Sequence, residues 1–529
     1  MRILSFAVIS LPAVTAAVLL FAHAAAAGTS QKTRQPAVAG TFYPADPKEL
    51  AKMVDDFVSR AAPPPLENVV ALVAPHAGYP YSGPVAAWSY ALLKGRKVQR
   101  VVVIAPSHYE AFGFSSVYDG AAYATPLGQV AVDQAFAAKL ARISPRIRLS
   151  DAGHRPLGDR AEHALEVQLP FLQRTLGHFL LVPIVMGDQS YESSRALGVA
   201  LEELSRGSAT LIVASSDLSH YHPYGDAVKL DRKTLSAVEA FDYLSLSRNL
   251  ERQVWEACGG GPIVAAMIAA ERLGASQAKL LKYANSGDTT GDRSRVVGYG
   301  AVAFVQGPPQ KGSRTVSLNR QDKDMLLDIA RKSVETAVRN RKVYECSSSR
   351  DALVEDHGAF VTLTKRGELR GCIGYVAASE PLYLTVRDAA MMAALHDTRF
   401  PPVTAKELPD LEYEISVLSP MQHILDIREI RVGEHGLLIR KGEREGILLP
   451  QVALDQGWDR MAFLEELCFK AGLPRRAWLD PDTDIFSFTA VLFGARPPVQ
   501  ALFPDPLEQR TKWPSVQAPG LPDRSTPPF

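Results

Sequence analysis

Two histidines and a cysteine stand in contexts that can build a metal site. His76 lies in Ala74-Pro75-His76-Ala77-Gly78-Tyr79, His108 in Ala105-Pro106-Ser107-His108, and Cys258 in Ala257-Cys258-Gly259-Gly260-Gly261-Pro262. Two imidazoles and a thiolate are ligands for a transition metal. Each residue alone has a plainer reading. A histidine behind a strand often caps a turn, and a lone cysteine is often a small buried hydrophobe. The recurrence of histidine at two equivalent positions argues for ligands. The glycine run after Cys258 permits close backbone approach and sets the thiol near a helix start, which is expected to lower its pKa.

The elements that must position these residues are legible as apolar runs. Val69 to Ala74 (VVALVA), Val101 to Ala105 (VVVIA), 181–186 (LVPIVM) and 211–215 (LIVAS) read as buried strands of a mostly parallel sheet. Helical stretches such as Val85 to Leu93 and His163 to Leu176 separate them. This is the alternation of an α/β fold, a mixed and mainly parallel sheet flanked by helices. A histidine just past each strand would sit at the carboxyl edge of the sheet, where open α/β folds place ligands.

Further polar residues are candidates for the same crevice. His220 and Asp217, in Ser215-Ser216-Asp217-Leu218-Ser219-His220, read as a proton-moving pair, with His220 preferred over its neighbour His222. Tyr79 and Tyr81 offer phenolic hydrogen bonds. Glu162, His163 and Glu166 fall at the start of a helical stretch, with His163 and Glu166 three apart on one face. They either reach the pocket or cap and solubilise the helix.

Composition bounds the rest. At 529 residues the chain calls for two domains plus tails. Residues 35–306 form the first, 307–321 a Pro/Gly-rich linker, 322–494 a separate α+β domain, and 495–529 a Pro-rich tail. A net charge of +1 with no basic block gives no sign of a nucleic-acid partner. Four cysteines cannot make a disulfide framework, although two of the three in the second domain could pair in an oxidising compartment. Residues 1–27 read as a signal peptide, with Arg2, an apolar run and small residues ending at Gly28; an uncleaved anchor is the alternative. The expectation is an exported, periplasmic protein without a membrane segment once the signal is removed. In the second domain Leu369-Arg370-Gly371-Cys372-Ile373-Gly374 is the sharpest feature. It reads either as an accessible thiol at Cys372 activated by Arg370, or as a turn whose glycines serve backbone geometry.

Both halves also resemble known families. The pieces 35–46 (QPAVAGTFYPAD), 74–87 (APHAGYPYSGPVAA), 106–108 (PSH), 162–173 (EHALEVQLPFLQ), 215–221 (SSDLSHY) and 287–301 (GDTTGDRSRVVGYGA) resemble the Memo family, in order. The pieces 358–375 (GAFVTLTKRGELRGCIGY), 393–402 (AALHDTRFPP) and 411–420 (LEYEISVLSP) resemble the AMMECR-type domain. These families are linked in the AmmeMemoRadiSam group as proteins B and A, so the resemblance implies a radical-SAM partner protein; no CxxxCxxC occurs in this chain. The Memo family is similar to class III extradiol dioxygenases, non-haem iron enzymes. Carried over motif by motif, its metal positions are His76, His108 and Cys258, with His220 as the additional pocket histidine. The ring-cleaving enzymes have a carboxylate where this chain has Cys258. A thiolate is softer, shifts preference towards copper(I) or iron, and is itself open to oxidation.

Two functions from different classes follow. One is an iron- or copper-binding redox or oxygenase-like enzyme acting on a small substrate, with His220 moving protons. The other is a non-enzymatic copper or iron carrier, or a scaffold that takes a peptide in the same crevice.

Overall fold

The structure, a computed structural model of the chain, describes residues 32–158, 160–307, 316–377 and 379–495. The expected signal peptide lies outside the described residues, as do most of the expected linker and nearly all of the tail. Among the described residues no helix is long and apolar enough to cross a membrane.

The first unit is built on a nine-stranded sheet. Its strands are β1 (Val69–Ala74), β2 (Arg100–Pro106), β3 (Ser115–Tyr118), β4 (Ile147–Ser150), β5 (Leu180–Met186), β6 (Thr210–Ser215), β7 (His220–His222), β8 (Ala275–Asn285) and β9 (Val296–Gln306). Their spatial order is β7-β9-β1-β6-β2-β5-β3-β4, with β8 on the other side of β9. The central four, β1-β6-β2-β5, run parallel, while β9 meets β1 and β3 meets β5 antiparallel. The unbroken apolar runs follow from burial on both faces. Along β2, Val102 and Ile104 enter one core and Val101, Val103 and Ala105 the other.

Helices cover both faces. They include α1 (Pro47–Arg60), α2 (Tyr79–Ala91), α3 (Leu169–Leu176), α4 (Tyr191–Ser205), α5 (Tyr224–Glu239), α6 (Tyr243–Glu251) and α7 (Gly260–Arg272). The stretch from His163 is not one helix, contrary to the sequence expectation. A 3-10 turn spans Glu166–Gln168 and α3 begins at Leu169, with Pro170 in its first turn, where a missing N–H costs nothing. His163 therefore lies in the preceding loop and shares no helix face with Glu166.

Glu166 serves the fold. Its fully buried carboxylate accepts from Arg34 Nη1 at 2.5 Å, the Ala37 and Val38 N–H groups at 2.8 and 3.1 Å, and the Tyr43 hydroxyl at 2.5 Å. Arg34 also donates to the His154 carbonyl at 2.9 Å and to the Glu162 carbonyl. One ion pair thus fastens the segment before α1 across the loop that carries Glu162 and His163.

The second unit opens with α8 (Arg320–Asn340) and contains two four-stranded sheets. One is made of β10 (Ala359–Lys365), β11 (Glu368–Tyr375), β12 (Leu411–Leu418) and β17 (Ala490–Gly494), in the order β11-β10-β12-β17. Helix α9 (Leu382–Leu395) packs on it with α8. The other joins β13 (Gln422–His423), β14 (Gly436–Lys441), β15 (Arg444–Leu448) and β16 (Asp484–Phe488) in the order β13-β16-β14-β15, beside helix α10 (Arg460–Lys470). Leu438, Phe486 and Phe488 of this sheet join the same apolar cluster as α4, α6 and α7 of the first unit. The α+β character expected for this half is present, distributed over two sheets.

Removing one partner of a buried ion pair leaves the other uncompensated. The Glu166→Ala variant is expected to lose about 3–5 kcal/mol of stability in denaturant unfolding. A loss below about 1 kcal/mol, the ordinary worth of an exposed pair, would contradict the fastening role given to Glu166.

Candidate metal centre

The carboxyl ends of β1, β6 and β2, neighbours in that order, bring the candidate ligands together. His76 follows β1, Asp217 follows β6 and His108 follows β2. Cys258 arrives from the loop before α7. Gly259 makes this approach possible, since a Cβ there would lie 2.2 Å from the Ser215 carbonyl oxygen. One ligand atom from each of His76, His108 and Cys258 lies within 4.8 Å of the others. The Cys258 Sγ is 3.1 Å from His76 Nε2.

The hydrogen bonds behind the rings set their tautomers. Tyr90 donates its hydroxyl to Gln168 Oε1 at 2.6 Å, which turns the Gln168 amide so that Nε2 donates to Ser215 Oγ at 2.7 Å. Ser215 spends its one proton on the Ala164 carbonyl at 2.6 Å. The His76 Nδ1, 3.0 Å from Ser215 Oγ, must therefore be the donor. This leaves the Nε2 lone pair facing Cys258. His108 is handled by a carboxylate: its Nδ1 donates to Glu162 Oε1 at 2.9 Å, and its backbone N–H to Oε2 at 2.6 Å. Its Nε2 is likewise left as an acceptor. A carboxylate or hydroxyl behind the imidazole is how metal-binding histidines are oriented.

Electrostatics favour a neutral donor at His76 alone: at His108 burial is outweighed by the hydrogen bond and charge of Glu162, which raise its pKa towards the imidazolium that a metal would have to displace. Burial, together with neighbouring His108, lowers the His76 pKa to about 3, so its imidazole is neutral. Glu162 is held down at about 2; its burial is outweighed by the hydrogen bond from His108 and by the charges of His108 and His163. Burial and the Asp217 carboxylate push the Cys258 thiol up, which corrects the expectation of a lowered pKa at a helix start. Gly259 caps the helix one residue on, but burial outweighs the dipole.

The remaining candidates divide. Asp217 is buried, accepts the His76 N–H at 2.7 Å and is a positioning group. His220 lies on β7, half-buried, close enough for its charge to bear on His76 and Asp217. His222 is 2.8 Å from the Glu256 carboxylate through Nε2. Between them Tyr221 has φ +64°, a conformation costly for a bulky residue and common near functional sites. His163 stacks on His108 at 4.9 Å and meets His76 edge-on at 5.6 Å. Its Nδ1 is buried, 3.6 Å from Glu162 and without a hydrogen bond. His108, Glu162 and His163 also form a group whose ligand atoms lie within 4.8 Å, but four N–H donors already occupy the Glu162 carboxylate. Tyr79 is buried and donates to the Val167 carbonyl at 2.6 Å, so it is a core residue; Tyr81 is 44 % exposed. Glu166 faces the N-terminal segment.

Sequence reasoning missed Ser215 and Gln168, although both lie in the stretches singled out above. It missed Gln189 entirely, because a glutamine after a strand carries no signal. Its Nε2 donates to the Cys258 carbonyl at 3.0 Å, and its Oε1 accepts the Gly261 N–H at 2.9 Å.

In the second unit Arg370 does not serve Cys372. It pairs with Glu407 at 3.1 and 3.3 Å, and Lys365 joins at 3.1 Å. Cys372 Sγ instead accepts from Thr362 Oγ1 at 3.3 Å, its N–H donates to Asp397 at 2.8 Å, and burial pushes its thiol up. Gly371 is required by packing, since a Cβ would stand 2.1 Å from the Ala393 carbonyl oxygen of α9. All four cysteines are free thiols, so the disulfide allowed by the sequence is not formed. Cys372 itself lies within strand β11 and not in a turn, and Cys468 sits fully buried in the apolar core under the second sheet.

Two family models match the chain: Memo-like protein over residues 34–303 and AMMECR1 over 327–493. A MEMO1 family protein of Methanopyrus kandleri is 40% identical over 288 residues, covering 52% of this chain and 99% of that protein. One of Aeropyrum pernix is 40% identical over 284 residues, covering 51% and 99%. A crystal structure of an uncharacterized protein from Pyrococcus horikoshii is 39% identical, covers 34% of this chain and 95% of its own, and has a TM-score of 0.32.

The environment of Cys372 predicts a slow thiol. Peptide-resolved alkylation at neutral pH is expected to modify it no faster than an ordinary free cysteine. A rate well above that, falling when Arg370 is replaced by Met, would restore the activated-thiol reading.

Proposed function

From the premise that this chain belongs to the Memo family and carries an AMMECR1 domain in the same polypeptide, we propose that its first domain binds one iron or copper ion. His76 Nε2, His108 Nε2 and Cys258 Sγ are the ligands, and the bound metal serves redox or oxygenase-type chemistry on a small ligand. The observation that carries this reading is the pair of hydrogen bonds that His76 and His108 donate through Nδ1 to Ser215 and Glu162, which leaves both Nε2 lone pairs free within reach of the thiol. The residues fit a soft or borderline metal: two imidazoles and one sulfur suit copper or iron over magnesium or calcium. When bound, such an ion supplies Lewis acidity or one-electron chemistry.

The chain's own residues then have separate tasks. Asp217 and Ser215 fix His76, and Glu162 fixes His108. His163, whose buried Nδ1 makes no hydrogen bond, would hold a polar atom of a ligand beside His76 and His108. His220 would move a proton in this reading. The family's similarity to class III extradiol dioxygenases supports the oxygenase-type version. Cys258 favours a second reading, storage or transfer of copper(I), because a thiolate replaces the carboxylate of those enzymes.

Protein purified under reducing conditions is expected to hold about one equivalent of metal by elemental analysis. His76→Ala and Cys258→Ser are each expected to lose it, and unchanged content in both would refute the site. The Glu162→Ala variant is expected to weaken binding about 10–100-fold while keeping the stoichiometry. If Glu162→Ala removed no affinity, the orienting role of this carboxylate would fail.

A further inference from the structure

One of the places where the AMMECR1 domain grips the first domain leads directly to the candidate sulfur ligand. Helix α4 begins two residues after Gln189, the residue that brackets the Cys258 peptide from both sides. The first residue of α4, Tyr191, is 2 % exposed, and its hydroxyl donates to Asp484 Oδ2 on β16 at 2.8 Å. Arg195, one turn on, donates to the same oxygen at 2.5 Å and to the Pro481 carbonyl at 2.9 Å. From β14, Arg440 stacks over the Tyr191 ring at 4.5 Å and donates to Glu192 at 2.6 Å.

A second grip reaches the other end of α7, the helix that starts just after Cys258. There Glu271 accepts from the Tyr243 hydroxyl at 3.0 Å and lies 3.4 Å from His423 Nδ1, whose Nε2 is 3.5 Å from Asp484. Asp484 is nearly fully buried, and Arg195 and His423 hold its carboxyl well below the usual range despite that burial. A buried carboxylate with this many partners has one low-energy position, and leaving any partner unmatched is costly.

We propose that the AMMECR1 domain acts as a positioning element for Cys258. Asp484 and Arg440 clamp the start of α4, and Gln189 transmits that placement to the Cys258 peptide. The inference deepens the metal-site reading, and only its affinity readout depends on that reading.

The test uses the full-length, reduced, metal-free protein. Iodoacetamide alkylation of each cysteine is followed by peptide mass spectrometry, and iron(II) affinity is titrated in parallel. Asp484→Ala, Arg440→Ala and Gln189→Ala are each expected to speed alkylation of Cys258 about fivefold or more, the lower end of ordinary coupling between sites. Iron(II) binding is expected to weaken about tenfold. Arg440→Ala keeps Asp484 with all its partners and so guards against misfolding. Continued protection of the fully buried Cys468, which packs under the same sheet as Asp484 and Arg440, reports an intact second domain.

Faster Cys258 alkylation in Gln189→Ala alone, with both second-domain variants at the wild-type rate, would overturn the proposal. So would an unchanged rate in all three variants. If the wild type bound no iron(II) but the three variants still exposed Cys258, the positioning role would stand and the metal reading would fall. If iron(II) bound equally well to the wild type and to the Asp484 and Arg440 variants, with Cys258 equally protected, the metal reading would stand and the positioning role would fall.

Discussion

Asp217 ties the site together. Its carboxylate accepts the His76 N–H at 2.7 Å, its own N–H donates to Cys258 Sγ at 3.2 Å, and its carbonyl accepts the Cys258 N–H at 3.3 Å. Two candidate ligands 182 positions apart in sequence are thereby fixed by a single residue at the end of β6. The arrangement works only because β6 lies between β1 and β2 and runs parallel to both. Reordering those strands would leave His76 and His108 as two unrelated turn residues. Once the order is set, the loops after three adjacent strands converge, and the glycine after Cys258 lets a fourth segment lie against them.

The rings are oriented before any ligand arrives. Ser215 and Glu162 each consume an Nδ1–H, so the cost of choosing a tautomer is met in folding. The supporting residues are themselves held. Gln168 is turned by Tyr90, and the Glu162 loop is crossed by Arg34, whose partner Glu166 gathers the segment before α1. This gives the ion pair of Arg34 and Glu166 a part in the site although neither residue touches it. The opposing effect is seen at Cys258, where burial works against the thiolate that a metal would require.

The sheet and the three candidate ligands that it brings together were legible because their signals are local: unbroken apolar runs, a histidine just after two of them, and a cysteine before glycines. What could not be read was direction. Glu166 and His163 stand three apart, yet Pro170 delays the helix and the two side chains part company. Tyr79 lies in a pocket-like motif, but its hydroxyl is spent on a core carbonyl. Arg370 is two residues from Cys372 along a strand and belongs to Glu407 instead. Long-range partners such as Gln189 carry no sequence signal, since a single polar residue acquires its role only when the fold supplies the other half of the hydrogen bond.

The two domains meet on helices that begin beside Gln189 and Cys258 of the candidate metal site, so the fusion has physical content beyond tethering. The central claim concerns the donor atoms, and X-ray absorption spectroscopy of the iron- or copper-loaded protein addresses it most directly. The account predicts one sulfur scatterer at roughly 2.3 Å and two imidazole shells at about 2.0–2.1 Å, by analogy with other thiolate–histidine metal sites. The sulfur shell should vanish in Cys258→Ser. A first shell of oxygen and nitrogen alone in the wild-type protein would contradict it.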